Sequence, residues 1–253
     1  MRAIIIGAGR GQRLMPTTAN QPKCFAEIQG RRILDWSLEA FAANGIDDIC
    51  FIGGYRIDII RENYPNFIFR HNEDWENNNI LASLMYAEDL MDEHFICSYS
   101  DTLFSASVIG GLLESDQDIT LSVDTDWTER YRHRTQHPPD DAEKVTAFNG
   151  RVTRVHRNIN PTDAHGEYTG IAKFSSTGAA TLKEHYARCR ASLAGKPFHE
   201  APVFEKAYFI HLLQDMIEKD VAIHHIDTPG EYMEIDTQED FELAQSQWNH
   251  SSR

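Results

Sequence analysis

Apolar residues fall into two spacings along this chain. Short continuous runs bounded by glycine or polar residues read as buried strands, and stripes at three- and four-residue intervals read as helices. The first run, Ala3-Ile4-Ile5-Ile6 within Met1 to Gly7, predicts a buried parallel strand that ends in glycines. A helical stripe over 33–44 and a second buried run from Asp48 to Gly53 complete a βαβ unit. Next come a short helix from Ile57 to Glu62, a strand from Phe67 to Arg70, and a helix from Asn79 to Met91 opened by an asparagine cap. The run from His94 to Ser100 predicts a strand that delivers Asp101 at its C-terminal end, the edge where open α/β sheets bind ligands.

The second half is more broken. A helix over Val108 to Glu114 and a strand over Asp118 to Val123 lead into a polar stretch, Asp124 to Glu143, punctuated by Pro138-Pro139 and read as a loop or lid. Val145 to Arg157 alternates around Asn149-Gly150, a hairpin signal. Strands at Tyr168 to Phe174, Ala222 to Ile226 and Tyr232 to Ile235, helices at 178–190 and 203–219, and a terminal helix from Gln238 complete the reading. The alternation predicts an α/β fold, a Rossmann-like mixed, mainly parallel sheet flanked by helices, with a small lid and hairpin inserted at about 124–160. No repeat, low-complexity tract or long linker divides the chain, so one domain is expected over 1–253.

Composition narrows the ligand. A chain of 253 residues with 41% apolar content can bury one large core. Its 24 basic and 39 acidic residues give a net charge of -15, which repels nucleic acid and anionic membranes, so any polyanionic ligand needs a local basic patch. No apolar run approaches the roughly 18 residues of a membrane span. The four cysteines form no CxxC pair and the chain opens on a strand instead of a signal peptide, which implies a cytoplasmic protein with reduced thiols. The apolar residues from Ile210 to Met216 suit either core or interface, so a homodimer is compatible with the sequence.

The basic patch stands directly after the first strand. In Gly7-Ala8-Gly9-Arg10-Gly11-Gln12-Arg13-Leu14, alternate glycines let backbone N–H groups approach phosphate oxygens, and Arg10, Arg13 and Lys23 add charge. A dinucleotide-binding loop would carry its third glycine at Gln12, and a Walker A loop would close on Gly-Lys-Ser/Thr, so neither fits. The loop reads as a nucleoside-triphosphate site.

The order of apolar strand, glycine loop, Pro16 and Pro22-Lys23 resembles the signature of the sugar-phosphate nucleotidyltransferase superfamily. Gly7 replaces that signature's usual alanine, a departure expected to cost nothing chemically. Tyr99-Ser100-Asp101, Ala142-Glu143-Lys144-Val145, Gly166 to Ile171 and Glu234-Ile235-Asp236-Thr237 with Asp240 resemble blocks of one branch, the phosphocholine and 2-aminoethylphosphonate cytidylyltransferases. Asn77-Asn78-Asn79-Ile80 and the block from Glu205 to Gln214 are similar to it as well. CTP is the donor this implies.

The resemblance assigns roles. Asp101 and Asp236 would hold Mg²⁺ as hard oxygen ligands, and Lys23 would neutralise the α-phosphate and the acceptor phosphate. Arg13 and the loop from Gly7 to Gln12 would hold the departing phosphates, with Asn78 and Asn79 at ribose or cytosine beside their role as helix caps. Lys144 would reach the acceptor phosphate; from chemistry alone, a cationic head group would be met by carboxylates or aromatic faces, with Asp124, Trp127, Tyr131, Glu167, Tyr168 and Glu234 as candidates and core packing as the alternative for the aromatics. Arg130, Arg132, His133 and Arg134 crowd the lid, where they could bind an acceptor phosphonate or carboxylate or form a solvated face. The histidines show no metal spacing and are read as structural or solvated. The expected reaction joins CTP to a small phosphonate or phosphomonoester, such as 2-aminoethylphosphonate or phosphocholine, releasing pyrophosphate. A sugar-1-phosphate nucleotidyltransferase using UTP or dTTP shares the loop, Lys23 and both aspartates; a non-catalytic nucleotide-binding regulatory domain is the rival outside enzymes.

Overall fold

A computed structural model describes residues 1–132, 134–136 and 138–248. Its strands are β1 (Arg2–Gly7), β2 (Glu27–Ile28), β3 (Arg31–Arg32), β4 (Asp48–Gly53), β5 (Ile68–His71), β6 (Phe95–Tyr99) and β7 (Thr102–Phe104). The later strands are β8 (Ile119–Asp124), β9 (Lys144–Phe148), β10 (Arg151–Val155), β11 (Gly166–Phe174), β12 (His224–Asp227) and β13 (Tyr232–Glu234). The helices are α1 (Ile33–Ala43), α2 (Ile57–Asn63), α3 (Ile80–Leu84), α4 (Ala106–Glu114), α5 (Trp127–Tyr131), α6 (Ser176–Leu193), α7 (Phe209–Glu218) and α8 (Gln238–Gln247).

The central sheet has the order β5-β4-β1-β6-β11-β8-β12-β10-β9. Its first four strands are parallel, and β11 then runs against both β6 and β8. The sheet is mixed as expected: beyond β6 the pairings are antiparallel except that of β12 with β8, which is parallel. In the other half β9 pairs with β11 as well as with β10, so β11, β8, β12, β10 and β9 close into a ring of pairings. Alternation along β1 shows how the layers are held: Ile4 and Ile6 enter the cluster with α3, α6 and α7, while Ala3 and Ile5 enter the cluster with α1 and α4. Ile210, Leu212, Leu213 and Met216 are buried in the chain's own core, which answers the question left open for that segment.

Two regions depart from the sequence reading. The stretch expected as a loop or lid holds a helix: α5 buries Trp127 and Tyr131, which gather with Ala142 into a small cluster of their own, while Thr128, Glu129, Arg132, Thr135, Gln136 and Pro138 to Asp140 are exposed. The hairpin at Asn149-Gly150 forms with both residues at positive φ, 50° and 75°, but it is woven into the sheet instead of projecting from it. The helix expected over 203–219 is broken. A 3₁₀ turn at Phe204–Lys206 precedes α7, whose cap residue Tyr208 donates its backbone N–H to His211 Nδ1.

Candidate active site

The loop after β1 is tied down by its neighbours. Tyr55 N–H donates to Ala8 O at 2.9 Å, and Thr18 Oγ1 donates to Gly11 O at 3.0 Å. Gly11, at φ +66°, makes the left-handed turn into the 3₁₀ turn Gln12–Leu14. A Cβ on Gly7 would lie 2.6 Å from both Phe51 Cζ and Ser100 Oγ. The exchange of the usual alanine for Gly7 is therefore not neutral in this chain, because a phenyl ring and a hydroxyl occupy the methyl group's space. Arg10 turns aside, its guanidinium 5.3 Å from the centre of the Tyr55 ring.

The loop forms one wall of a cavity of about 580 Å³. Gly7, Ala8, Gly9, Gly11, Gln12 and Arg13 line it, with Trp75, Asn78 and Asn79 nearby. The three asparagines divide their roles. Asn77 bonds Asp74 at 2.7 Å, Asn78 exchanges side-chain hydrogen bonds with Asn72, and Asn79 caps α3 by accepting the Ile80 N–H at 2.9 Å. Asn78 and Asn79 thus both line the cavity, but only Asn79 is a helix cap.

Charge concentrates at the cavity's centre. The pairing of β13 with β7 sets Glu234 opposite Thr102, and Ile235 N–H donates to Asp101 O at 2.9 Å, which draws two distant segments together. Asp240 Oδ2 accepts the N–H groups of Asp236 and Thr237 at 3.1 and 2.8 Å, so the start of α8 fixes the Asp236 backbone. Lys23, on the 3₁₀ turn Lys23–Phe25, donates to Asp101 at 2.7 Å and to Asp236, which also pairs with Arg13. Burial pulls the Lys23 pKa down, but the Asp101 and Asp236 carboxylates outweigh it and hold the ammonium above its ordinary value. Carboxylate oxygens of Asp101, Glu234 and Asp236 all lie within 4.8 Å of one another. Burial, and after it the charges of Asp236 and Asp101, push the Glu234 carboxyl well above the usual range. Three hard oxygen donors at this spacing suit a small divalent cation such as Mg²⁺, which would relieve that repulsion. Glu234, expected at the acceptor head group, is thus gathered with the two aspartates.

Beyond this centre the wall is built from the other half of the sheet by Glu143, Arg157, Glu167, Tyr168, Tyr208 and Tyr232. Glu167 lines the cavity as expected, but its oxygens are engaged by Arg130 Nη2 at 2.6 Å and Tyr131 OH at 2.7 Å. Arg130 also pairs with buried Asp124. Trp127 and Tyr131 do not line the cavity and stand behind Glu167 as support, because their rings fill the small cluster under α5. Lys144 is also turned away: its Nζ donates to Pro139 O at 2.9 Å and Ala142 O at 3.3 Å. Neighbours in extended chain point to opposite sides, so of Glu143 and Lys144 only one can face the cavity, and it is Glu143. Arg134 is bound to Asp240 at 2.9 Å and to Glu234 O at 3.0 Å, Arg132 pairs with exposed Glu129, and His133 lies outside the described residues.

Sequence reasoning missed Arg157 and Tyr208. Arg157 follows a hairpin that reads as surface, and Tyr208 lay inside an expected helix, with no signal for the break before it. Burial pushes the Glu143 carboxyl up to about 7, against the pull of Arg157 at 3.4 Å. Folding also brings His165, His225 and Asp227 within 4.8 Å of one another away from the cavity, a grouping that linear spacing hides. Among the described residues no helix is long and apolar enough to cross a membrane.

The CTP:phosphoglutamine cytidylyltransferase of Campylobacter jejuni is 28% identical over 253 residues, covering 96% of this chain and 98% of its own. An inositol-1-phosphate CTP transferase from T. maritima shares the fold with a TM-score of 0.74 at 22% identity, covering 96% of this chain and 94% of its own. The CTP:phosphocholine cytidylyltransferase of Streptococcus pneumoniae does so with a TM-score of 0.73 at 19% identity, covering 98% and 99%. Residues 3–173, from β1 through most of β11, match the model of the MobA-like NTP transferase domain, and the chain belongs to that nucleotidyltransferase family.

Proposed function

We propose that this protein is a cytidylyltransferase, dependent on a divalent metal, that joins CTP to a small phosphomonoester or phosphonate and releases pyrophosphate. The observation that carries this reading is the Lys23 ammonium held between Asp101 and Asp236, where the glycine loop meets the rest of the cavity. The similarity over nearly the whole chain to a cytidylyltransferase supports cytidine as the base.

The chain's residues divide the work. The loop from Gly7 to Gln12 and Arg13 binds the β- and γ-phosphates, and Asn78 and Asn79 face the nucleoside. An oxygen of the acceptor's phosphoryl group attacks the α-phosphorus, and the bond from that phosphorus to the bridging oxygen breaks as pyrophosphate leaves in line. The attacking oxygen is already anionic, so no general base is needed. Lys23 neutralises the charge that accumulates on the α-phosphate. Mg²⁺ held by Asp101 and Asp236, with Glu234 beside them, would supply further neutralisation of the phosphates.

Pyrophosphate release tests this with CTP, UTP, dTTP and ATP, each against phosphoglutamine, phosphocholine, 2-aminoethylphosphonate and glucose 1-phosphate. The expected result is turnover with CTP and a non-sugar acceptor, abolished by EDTA and restored by Mg²⁺. Turnover confined to a sugar phosphate with UTP or dTTP would overturn it.

A further inference from the structure

The arginines around the cavity differ in what they have left to offer. Arg130 is committed to Asp124 and Glu167, Arg134 to Asp240 and Glu234 O, and Arg13 to Asp236 at the charged centre. Arg157 is different. Its one carboxylate contact is long, Nη2 to Glu143 Oε1 at 3.4 Å, well outside the 2.7–2.9 Å of a strong charge-assisted bond. Its Nε is buried without a hydrogen-bond partner. The guanidinium carbon lies over the Tyr208 ring, 4.0 Å from the ring centre, so Tyr208 holds the group beside Glu143.

Glu143 is the counterpart. It is buried, receives the Tyr99 hydroxyl at 3.3 Å, and shares the cavity wall with Arg157. A guanidinium and a carboxyl set side by side and loosely joined present one positive and one negative site to the same ligand. A head group carrying only a cation would meet Glu143 and leave the Arg157 charge opposed. A head group with both charges satisfies the two residues at once.

Resting on the cytidylyltransferase reading above, we propose that the acceptor carries an α-amino acid head, its carboxylate held by the Arg157 fork and its ammonium by Glu143. Tyr208 is a positioning residue, which holds the guanidinium beside Glu143. The phosphoryl end of such an acceptor reaches toward Lys23 and the carboxylate centre, and the zwitterionic end occupies the wall built by Glu143, Arg157 and Tyr208. Acceptor specificity is therefore read by two residues of the hairpin region, and the residues of α5 act behind them.

The test uses matched acceptors that differ only in the α-carboxylate: phosphoglutamine against its decarboxylated analogue, and O-phosphoserine against phosphoethanolamine, each with CTP and Mg²⁺. Loss of one charged hydrogen-bonding interaction predicts that the wild-type enzyme favours the carboxylate-bearing member of at least one pair by about 10- to 100-fold in kcat/KM, mostly through KM. In Arg157→Gln that preference collapses, because kcat/KM falls more for the carboxylate-bearing member than for the decarboxylated one. Equal use of both members by the wild type, turnover of phosphocholine alone, or an Arg157→Gln enzyme impaired equally on both members overturns the proposal. The wild-type comparison needs no variant, so a misfolded Arg157→Gln does not remove the test. Activity with CTP and only carboxylate-free acceptors sinks this inference and leaves the cytidylyltransferase reading standing. Activity confined to UTP or dTTP with glucose 1-phosphate sinks both.

Discussion

The two halves of the cavity are built in opposite ways. The proposed nucleotide half comes from one short stretch: residues 7 to 23 supply the loop, Arg13 and Lys23, and the parallel strands β4, β1 and β6 hold that stretch in place. The proposed acceptor half is assembled from segments far apart in the chain, with Glu143, Arg157, Glu167 and Tyr208 each arriving on a different element or turn. Phosphate recognition needs backbone N–H groups in a tight turn, which adjacent residues can supply. Selecting a small head group needs side chains that converge from several directions, and those only a closed ring of strands brings together. On the proposed reading, the difference teaches that the donor end is a local device and the acceptor end a tertiary one.

The separation can be broken most severely at Arg130. Arg130→Ala leaves the buried carboxylates of Asp124 and Glu167 without their cation, and removing one partner of a buried pair costs about 3–5 kcal/mol. Chemical denaturation should register that loss, while the folded fraction keeps its CTP affinity if the halves are independent. The converse change is Lys23→Ala, expected to lower kcat by about 10²–10³-fold with a smaller change in CTP affinity, because its contact strengthens as charge develops. Comparison of steady-state kcat with nucleotide binding by calorimetry checks this, and equal losses in both would mean that Lys23 only binds.

The third effect is one of pH. Glu143 has a folded pKa of about 7 against an ordinary 4.5, so the folded state binds more protons between those values. Its contribution is therefore present below pH ~4.5 and lost as pH rises through ~7, up to about 3 kcal/mol. Glu143→Gln should flatten the stability profile across that window, measured as denaturation midpoints from pH 4.5 to 8. An unchanged slope would show that Glu143 titrates like an exposed acid. The smallest effect is expected at the loop: Gly7→Ala presses a methyl group against Phe51 and Ser100 and should cost about 1–3 kcal/mol, while Phe51→Leu in the same chain restores part of it. Thermal melts of the single and double variants would show whether the ring is the obstacle.

Much of this could be read from particular residues. Ala3 to Ile6 identified β1, Asn149-Gly150 its hairpin, Asn79 its cap, and the run from Gly7 to Gln12 the phosphate loop, since each rests on backbone propensity over a few residues. Asp101 and Asp236 were legible through resemblance and strand ends. Lys144 was placed at the acceptor by resemblance, and Trp127 and Tyr131 because their rings suit a cationic head group, yet the alternation of extended chain and the packing of α5 turn all three away from the cavity.

The sequence by itself determined most strands and helices, the glycine loop after β1 and the need for a local basic patch in an acidic chain, because these follow from adjacent residues and summed charge. Only the tertiary structure decided that Glu234 joins the two aspartates, that Gly7 is closely packed by Phe51 and Ser100, and that Glu143 and Arg157 stand together at the far wall. Those facts depend on the pairing of β13 with β7, of β4 with β1, and the closure of β9 onto β11, contacts between positions too distant for any local pattern to encode.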